Sequence, residues 1–99
     1  MNKDKIIEKL KTYTSSKEKI VFAFLFGSLA KGKAGGNSDI DLGLYLSSDY
    51  EEDFFTLKLE YKGELEQILK KPVDIVIMND AGVAGINLLY NAVILFQER

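Results

Sequence analysis

Apolar residues follow a helical period at the start of the chain and an extended one soon afterwards. Their spacing predicts a first helix over residues 3–14, with Asn2 as its N-cap. The apolar stripe of that helix consists of Ile6, Ile7, Leu10 and Tyr13. The run Ile20–Phe26 is continuously apolar and rich in β-branched and aromatic residues, which is typical of a strand buried on both faces.

A clean alternation marks the second predicted strand, Asp39–Leu46. Between the two strands, residues 28–33 are expected to form a short helical turn and residues 34–38 a loop. One face of the second strand carries Ile40, Leu42, Leu44 and Leu46, and the other carries Asp39, Asp41, Gly43 and Tyr45. The strand is therefore expected to have a single core face.

A long helix is predicted after this strand, capped by Ser48 or Asp49, running to about Leu69 and stopped by Pro72. Its stripe, at spacings of three and four residues, consists of Phe54, Leu57, Tyr61, Leu65 and Ile68. The helix is long enough to connect two parallel strands.

The remaining segments predict a third strand over Val73–Met78, a short helix over Ala84–Asn91 and a last strand over Ala92–Gln97. The predicted order is helix, strand, turn, strand, helix, strand, helix, strand. It indicates one domain over residues 1–99 of the α/β (α+β) class, with a small mixed β-sheet and flanking helices.

Composition removes several kinds of chemistry. The 99 residues include no cysteine and no histidine, which excludes disulfides, thiolate and imidazole metal sites and Ser-His-Asp triads. Catalysis would have to rely on carboxylates, hydroxyls, lysines, backbone amides or hard metal ions. The longest apolar run, Ile20–Phe26, is too short to span a membrane, and the N-terminus lacks the apolar segment of a signal peptide. A cytoplasmic protein is expected.

The formal net charge of −2 is unevenly distributed along the chain. Residues 1–33 carry eight lysines and three acids, whereas residues 34–66 carry nine acids and two lysines. The pI of about 5.1 argues against a basic face for nucleic acid, and no direct nucleic-acid binding is expected. The asymmetry is consistent with solvated helix faces, or with basic groups near a phosphate and acidic groups that hold metal ions.

Three short features carry candidate chemistry: Gly27-Ser28 at the end of the first strand, Asp39 and Asp41 at the start of the second, and Asp74 near the start of the third. Singly, each has an ordinary explanation as a turn or a solvated sheet face. The predicted topology relates them, because a helical crossover makes the second and third strands parallel and an antiparallel first strand ends at the same edge. All five residues are then expected at one edge of the sheet.

Such an edge suits hard cations together with phosphate. Carboxylates at positions i and i+2 of a strand lie about 6.6 Å apart on one face and repel each other in the absence of a cation. Mg²⁺ prefers a few carboxylates plus phosphate oxygens, and two such ions about 3.5–4 Å apart can clamp an in-line displacement. Gly27 allows a phosphate to approach the backbone, and Ser28 offers a hydroxyl.

Two other motifs fail on their own residues. The segment 27–33 fits seven positions of a P-loop, but Ala34 stands where a hydroxyl for Mg²⁺ is required. The segment 37–41 begins like a calcium loop, but Leu42 and Ser48 occupy the positions of its glycine and its bidentate glutamate.

The motif Gly-Ser, ten residues, Asp-Ile-Asp and a later strand acid at Asp74 resembles the minimal nucleotidyltransferases (MNT) of the DNA polymerase β-like superfamily. The strings FGSLAKG, SDIDL and KKPVDIVI carry the likeness over nearly the whole chain. The resemblance implies the nucleotidyltransferase fold of that superfamily. It also implies that Asp39, Asp41 and Asp74 are catalytic and hold two Mg²⁺ ions, while Gly27 and Ser28 contact the nucleoside triphosphate.

The resemblance implies a partner as well. Stand-alone members of this size pair with a HEPN-domain toxin as its antitoxin, and some transfer AMP from ATP to a tyrosine of that toxin. The same activity is expected here, with a non-catalytic antitoxin acting by occlusion and a small-molecule nucleotidyltransferase as the alternatives. Many relatives carry Arg where Lys31 stands, so that Lys31 and Lys33 are either phosphate contacts or simple surface lysines.

Overall fold

The computed structural model describes residues 2–30, 39–48 and 53–98, and within these ranges its elements follow the predicted order. They are α1 (Lys3–Ser16), β1 (Ile20–Phe26), α2 (Gly27–Ala30), β2 (Ile40–Leu46), α3 (Phe54–Leu69), β3 (Val73–Ile77), α4 (Met78–Ile86), a 3₁₀ helix (Asn87–Leu89) and β4 (Val93–Gln97). The described strands form one four-stranded sheet in the order β3-β2-β1-β4. None of the described helices is long and apolar enough to cross a membrane.

The sheet is mixed, as predicted. β2 and β3 are parallel and joined through α3, whereas β1 runs antiparallel to both β2 and β4. The α+β class and the small mixed sheet with flanking helices are therefore confirmed.

One side of the sheet, here called the helix face, packs against α1 and α3. The four residues predicted for the core face of β2 are all fully buried there: Ile40, Leu42, Leu44 and Leu46. The helices contribute Ile6, Leu10, Tyr13, Leu57, Tyr61, Leu65 and Leu69. The rings of Tyr13 and Tyr61 meet edge to face at 6.2 Å, and the Tyr13 hydroxyl donates a hydrogen bond to Glu64. These contacts join α1 to α3 over the sheet.

The helix ends agree with the predictions at the start of α1 and differ at α3. Asn2 caps α1 by accepting a hydrogen bond from the Lys5 backbone N–H at 2.9 Å, as predicted. The cap of α3 is Asp53, which accepts from the Thr56 backbone N–H at 2.7 Å, so the prediction of Ser48 or Asp49 is wrong. Residues 49–52 lie outside the described ranges.

The last turn of α3 buries Leu69 rather than Ile68, which is 42% exposed. Spacings of three and four residues are both compatible with a helical stripe, so the pattern leaves this position open. The left-handed backbone of Lys70 (φ 56°) then ends the helix two residues before Pro72.

The fourth helix begins at Met78, directly after β3, and not at Ala84 as predicted. The backbone of Gly82, at φ 60° and ψ −146°, is not helical and interrupts α4. The apolar residues before and after this kink therefore do not follow one continuous helical period. Asn79 anchors the start of α4, because its side chain accepts from the Leu46 N–H at 2.9 Å and donates to the Leu46 carbonyl at 2.8 Å.

The second side of the sheet, here called the carboxylate face, is crossed by α4. The groove along the free edge of β3 has Phe54 and Phe55 of α3 on one side and Asp80 and Ala81 of α4 on the other. Because β3 and β4 are parallel strands, a right-handed crossover also places α4 opposite α3.

The non-core face predicted for β2 is therefore partly covered. Phe24 of β1 is fully buried there, and its ring lies where a Cβ at Gly43 would stand. The lack of a side chain at Gly43 allows this ring to pack directly on the strand backbone.

Candidate active site

Asp39, Asp41 and Asp74 lie together at the edge of the sheet where β2 and β3 begin and β1 ends, as the sequence predicts. Asp41 and Asp74 are register partners on the parallel strands β2 and β3, whose spacing is about 4.8 Å. Asp39 stands two residues before Asp41 and therefore shares its face. Asp39 and Asp74 are exposed, whereas Asp41 is half-buried. The edge thus brings together three carboxylates with different access to solvent.

Gly27 closes this edge from the end of β1. Its backbone is left-handed, at φ 79°, and a Cβ at this position would overlap Asp41 Oδ2. Phe26, the preceding residue, is the register partner of Asp41. A glycine is therefore required for a reason beyond the predicted phosphate approach, because it leaves room for the Asp41 carboxylate.

Ser28 follows in the same turn, α2. The structure describes its backbone but not its side chain. Residues 31–38, which include Lys31 and Lys33, also lie outside it. The described site therefore consists of Gly27 and the three aspartates.

The Asp41 carboxylate is repelled by the two neighbouring aspartates. Burial raises the pKa of its carboxyl above the ordinary value, and the negative charges of Asp74 and then Asp39 raise it further. The ionised form of Asp41 is disfavoured in the folded protein for these reasons. A cation placed among the carboxylates would remove this penalty.

The donor set fits a hard divalent cation such as Mg²⁺, because it offers carboxylate oxygens at neighbouring positions whose mutual repulsion a cation relieves. Within residues 2–30, 39–48 and 53–98, no three acidic side chains are grouped closely enough to ligate an ion by themselves. Mg²⁺ in proteins commonly completes its coordination with phosphate oxygens of a bound substrate.

Sequence reasoning missed one set of contacts next to the site. Lys62 and Glu66 of α3 bond to the backbone of Val73, the residue before Asp74. Their i, i+4 spacing is visible in the sequence but resembles any solvent-exposed ion pair on a helix. Only the packing of α3 beside β3 reveals this contact.

Comparison with known proteins identifies the class. The family model described as polymerase beta nucleotidyltransferase matches residues 8–99, and no curated protein matches the sequence significantly. The chain belongs to the polymerase beta nucleotidyltransferase family, as the motif resemblance predicts, and it is a nucleotidyltransferase.

Several solved structures with a similar fold come from toxin–antitoxin complexes. One, crystallised with AMP-PNP, has a TM-score of 0.72 and 24% identity over 100% of this chain and 76% of that chain. Another holds a tri-AMPylated Shewanella oneidensis HEPN toxin with MNT antitoxin, with a TM-score of 0.72 and 18% identity over 97% of this chain and 73% of that chain. A mutant MntA–HpeT complex has a TM-score of 0.69 and 25% identity over 100% and 75% of the two chains.

The contact between Gly27 and Asp41 predicts the effect of a single methyl group. Gly27→Ala should cost about 1–3 kcal/mol from its left-handed backbone alone, and should also displace the Asp41 carboxylate. The control is Gly63→Ala on the exposed surface of α3, where a Cβ meets nothing within 4 Å. The control should gain about 0.5–1 kcal/mol because alanine favours a helix. Chemical denaturation of both variants measures the difference, and equal stabilities would contradict the close approach.

The repulsion on Asp41 predicts a gain in stability when its charge is removed. Its pKa is higher in the folded than in the unfolded chain, so the stability it contributes is present at low pH and is lost as pH rises through the folded pKa. Asp41→Asn should therefore raise Tm at pH 7 without divalent ions, and the gain should shrink towards pH 3. The control Glu18→Gln, at an exposed connection, should show no such pH-dependent gain. A lower Tm for Asp41→Asn at pH 7 would contradict the repulsion.

Proposed function

We propose that this nucleotidyltransferase transfers AMP from ATP to the hydroxyl of a tyrosine in a partner HEPN toxin and acts as the antitoxin of that toxin. The observation that carries the proposal is the facing pair Asp41 and Asp74 at the sheet edge that Gly27 closes. The solved structures of like fold support it, since they include a toxin–antitoxin complex with AMP-PNP and an AMPylated HEPN toxin with its antitoxin. We assign the activity to a single domain over residues 1–99 working in the cytoplasm.

In this mechanism, Asp39, Asp41 and Asp74 are the catalytic residues and would hold two Mg²⁺ ions. Mg²⁺ held there would supply positive charge that offsets the negative charge of the phosphate groups. Gly27 and Ser28 contact the triphosphate, the glycine because no side chain blocks its approach and the serine through its hydroxyl.

The acceptor hydroxyl attacks the α-phosphorus, a new P–O bond forms and the bond to pyrophosphate breaks. The proton of the hydroxyl passes to Asp74, which is exposed and therefore accessible to an incoming acceptor. Asp41 is half-buried between Gly27 and Asp74. Its role is therefore restricted to binding Mg²⁺, and it takes no part in the proton transfer.

The surface formed by α4 and the 3₁₀ helix that follows it supports a protein as the acceptor. Val83, Ile86 and Tyr90 recur at helical spacing and are 77%, 62% and 79% exposed. They belong to the stretch 81–97, which contains no charged residue. This stretch crosses the carboxylate face and leads into β4, whose first residue, Val93, pairs with Leu25 near the site edge. An exposed apolar surface beside a reaction edge is typical of a protein interface.

Occlusion without catalysis, the main alternative, would use the same apolar surface but would not require facing carboxylates. The aspartates place like charges at register partners, an arrangement that destabilises the chain unless it binds cations. This observation favours the enzyme over the binding module. A small-molecule acceptor would leave the exposed apolar surface of α4 unexplained.

Label transfer tests the proposal. Incubation with radiolabelled ATP, Mg²⁺ and the operon partner should label the partner on tyrosine, and Asp39→Asn, Asp41→Asn or Asp74→Asn should abolish the label. Ser28→Ala should be milder, since it removes one charge-assisted hydrogen bond of about 1.5–3 kcal/mol. Tight complex formation without label in any variant would favour occlusion, and labelling of a small molecule alone would overturn the protein acceptor.

A charge placed on α4 tests the acceptor surface separately. Ile86→Glu should weaken partner labelling at least tenfold, because a carboxylate would be buried against an apolar partner surface. The matched control is Leu59→Glu, at a residue 52% exposed on α3 across the sheet, which should leave labelling unchanged. The free enzyme should keep its melting temperature in both variants. Equal effects of the two substitutions would exclude a specific surface on α4.

A further inference from the structure

The free edge of β3 is held by two side chains instead of a strand. Among the described residues β3 pairs only with β2, and the Ile40 N–H donates to the Pro72 carbonyl at 3.0 Å. In a parallel ladder alternate residues face the neighbouring strand, so the backbone groups of Val73 point to the free edge. Unpaired edge groups of this kind need other partners.

Lys62 and Glu66, here called the edge clamp, supply those partners from α3. Glu66 Oε2 accepts from the Val73 N–H at 2.8 Å, and Lys62 Nζ donates to the Val73 carbonyl. The two side chains are also paired with each other, at 3.1 Å between Lys62 Nζ and Glu66 Oε2. Together they offer one acceptor and one donor, as a residue of a neighbouring strand would.

The clamped residue immediately precedes Asp74. Asp74 is exposed and extends from β3, so the position of its carboxylate follows the backbone of that strand. That backbone is held on one side by β2 and on the other by the edge clamp.

We infer that Lys62 and Glu66 are positioning residues for Asp74, which they keep opposite Asp41 by holding Val73 from the free edge. The inference rests on the proposed role of Asp74 as a metal ligand. A clamp that only protected the strand edge would support stability but would leave ion binding unchanged.

Binding of Mn²⁺, measured by water proton relaxation enhancement with AMP-PNP present to supply phosphate oxygens, separates the two roles. Glu66→Ala should weaken Mn²⁺ binding about tenfold, the lower end of the loss seen when a residue that orients a metal ligand is removed. Glu66→Gln keeps an acceptor for the Val73 N–H and should retain most of the affinity. Glu60→Ala removes the same charge from an exposed position of α3 and should match the wild type. Lys62→Met, which loses only the donor, should weaken binding in the same direction and provides a second variant should Glu66→Ala fail to fold.

A double variant locates the effect. If the clamp acts through Asp74, Glu66→Ala should cause no further loss of Mn²⁺ affinity in an Asp74→Asn background. Unchanged Mn²⁺ affinity in Glu66→Ala and Lys62→Met, with a lower Tm, would overturn the inference while leaving Asp74 as a ligand. Unchanged affinity in Asp74→Asn itself would instead overturn the proposed metal role, and the inference with it.

Discussion

Asp41 and Asp74 face each other on neighbouring parallel strands, and their like charges raise the free energy of the folded chain. Strand register holds them there, so the repulsion cannot be relieved by sliding one strand without exposing the buried residues on its other face. Gly27 adds to the constraint, because its missing side chain is what admits the Asp41 carboxylate. The buried core, which includes none of the site residues, therefore offsets the repulsion within the candidate site.

The helix face of the sheet contributes most of the buried core, whereas the carboxylate face carries the candidate site. The helix face buries the alternate residues of β2 under α1 and α3 and excludes water from them. The carboxylate face keeps Asp39 and Asp74 in solvent at one edge, while α4 crosses it and presents uncharged residues outward.

The pattern of residues by itself determined the order of elements, the mixed sheet and the family. Period-2 alternation in β2 and the continuous apolar run of β1 are strong local signals, since each strand must match the burial of its faces. The long connection between β2 and β3 implied parallel strands, and this relation alone brought Asp74 to the edge that carries Asp39 and Asp41. The Gly-Ser and Asp-Ile-Asp motifs pointed to the nucleotidyltransferase family that the comparison confirms.

Only the tertiary structure decided the contacts between elements that are distant along the chain. The close approach of the Asp41 carboxylate to Gly27, the ring of Phe24 over Gly43, and the start of α4 at Met78 depend on how elements pack, and local composition carries no sign of them. The edge clamp is the clearest case, since Lys62 and Glu66 form an ordinary helix-surface pair until α3 lies beside β3. Local patterns record which face of an element is buried, whereas the partner that each face meets is set by the topology of the whole sheet.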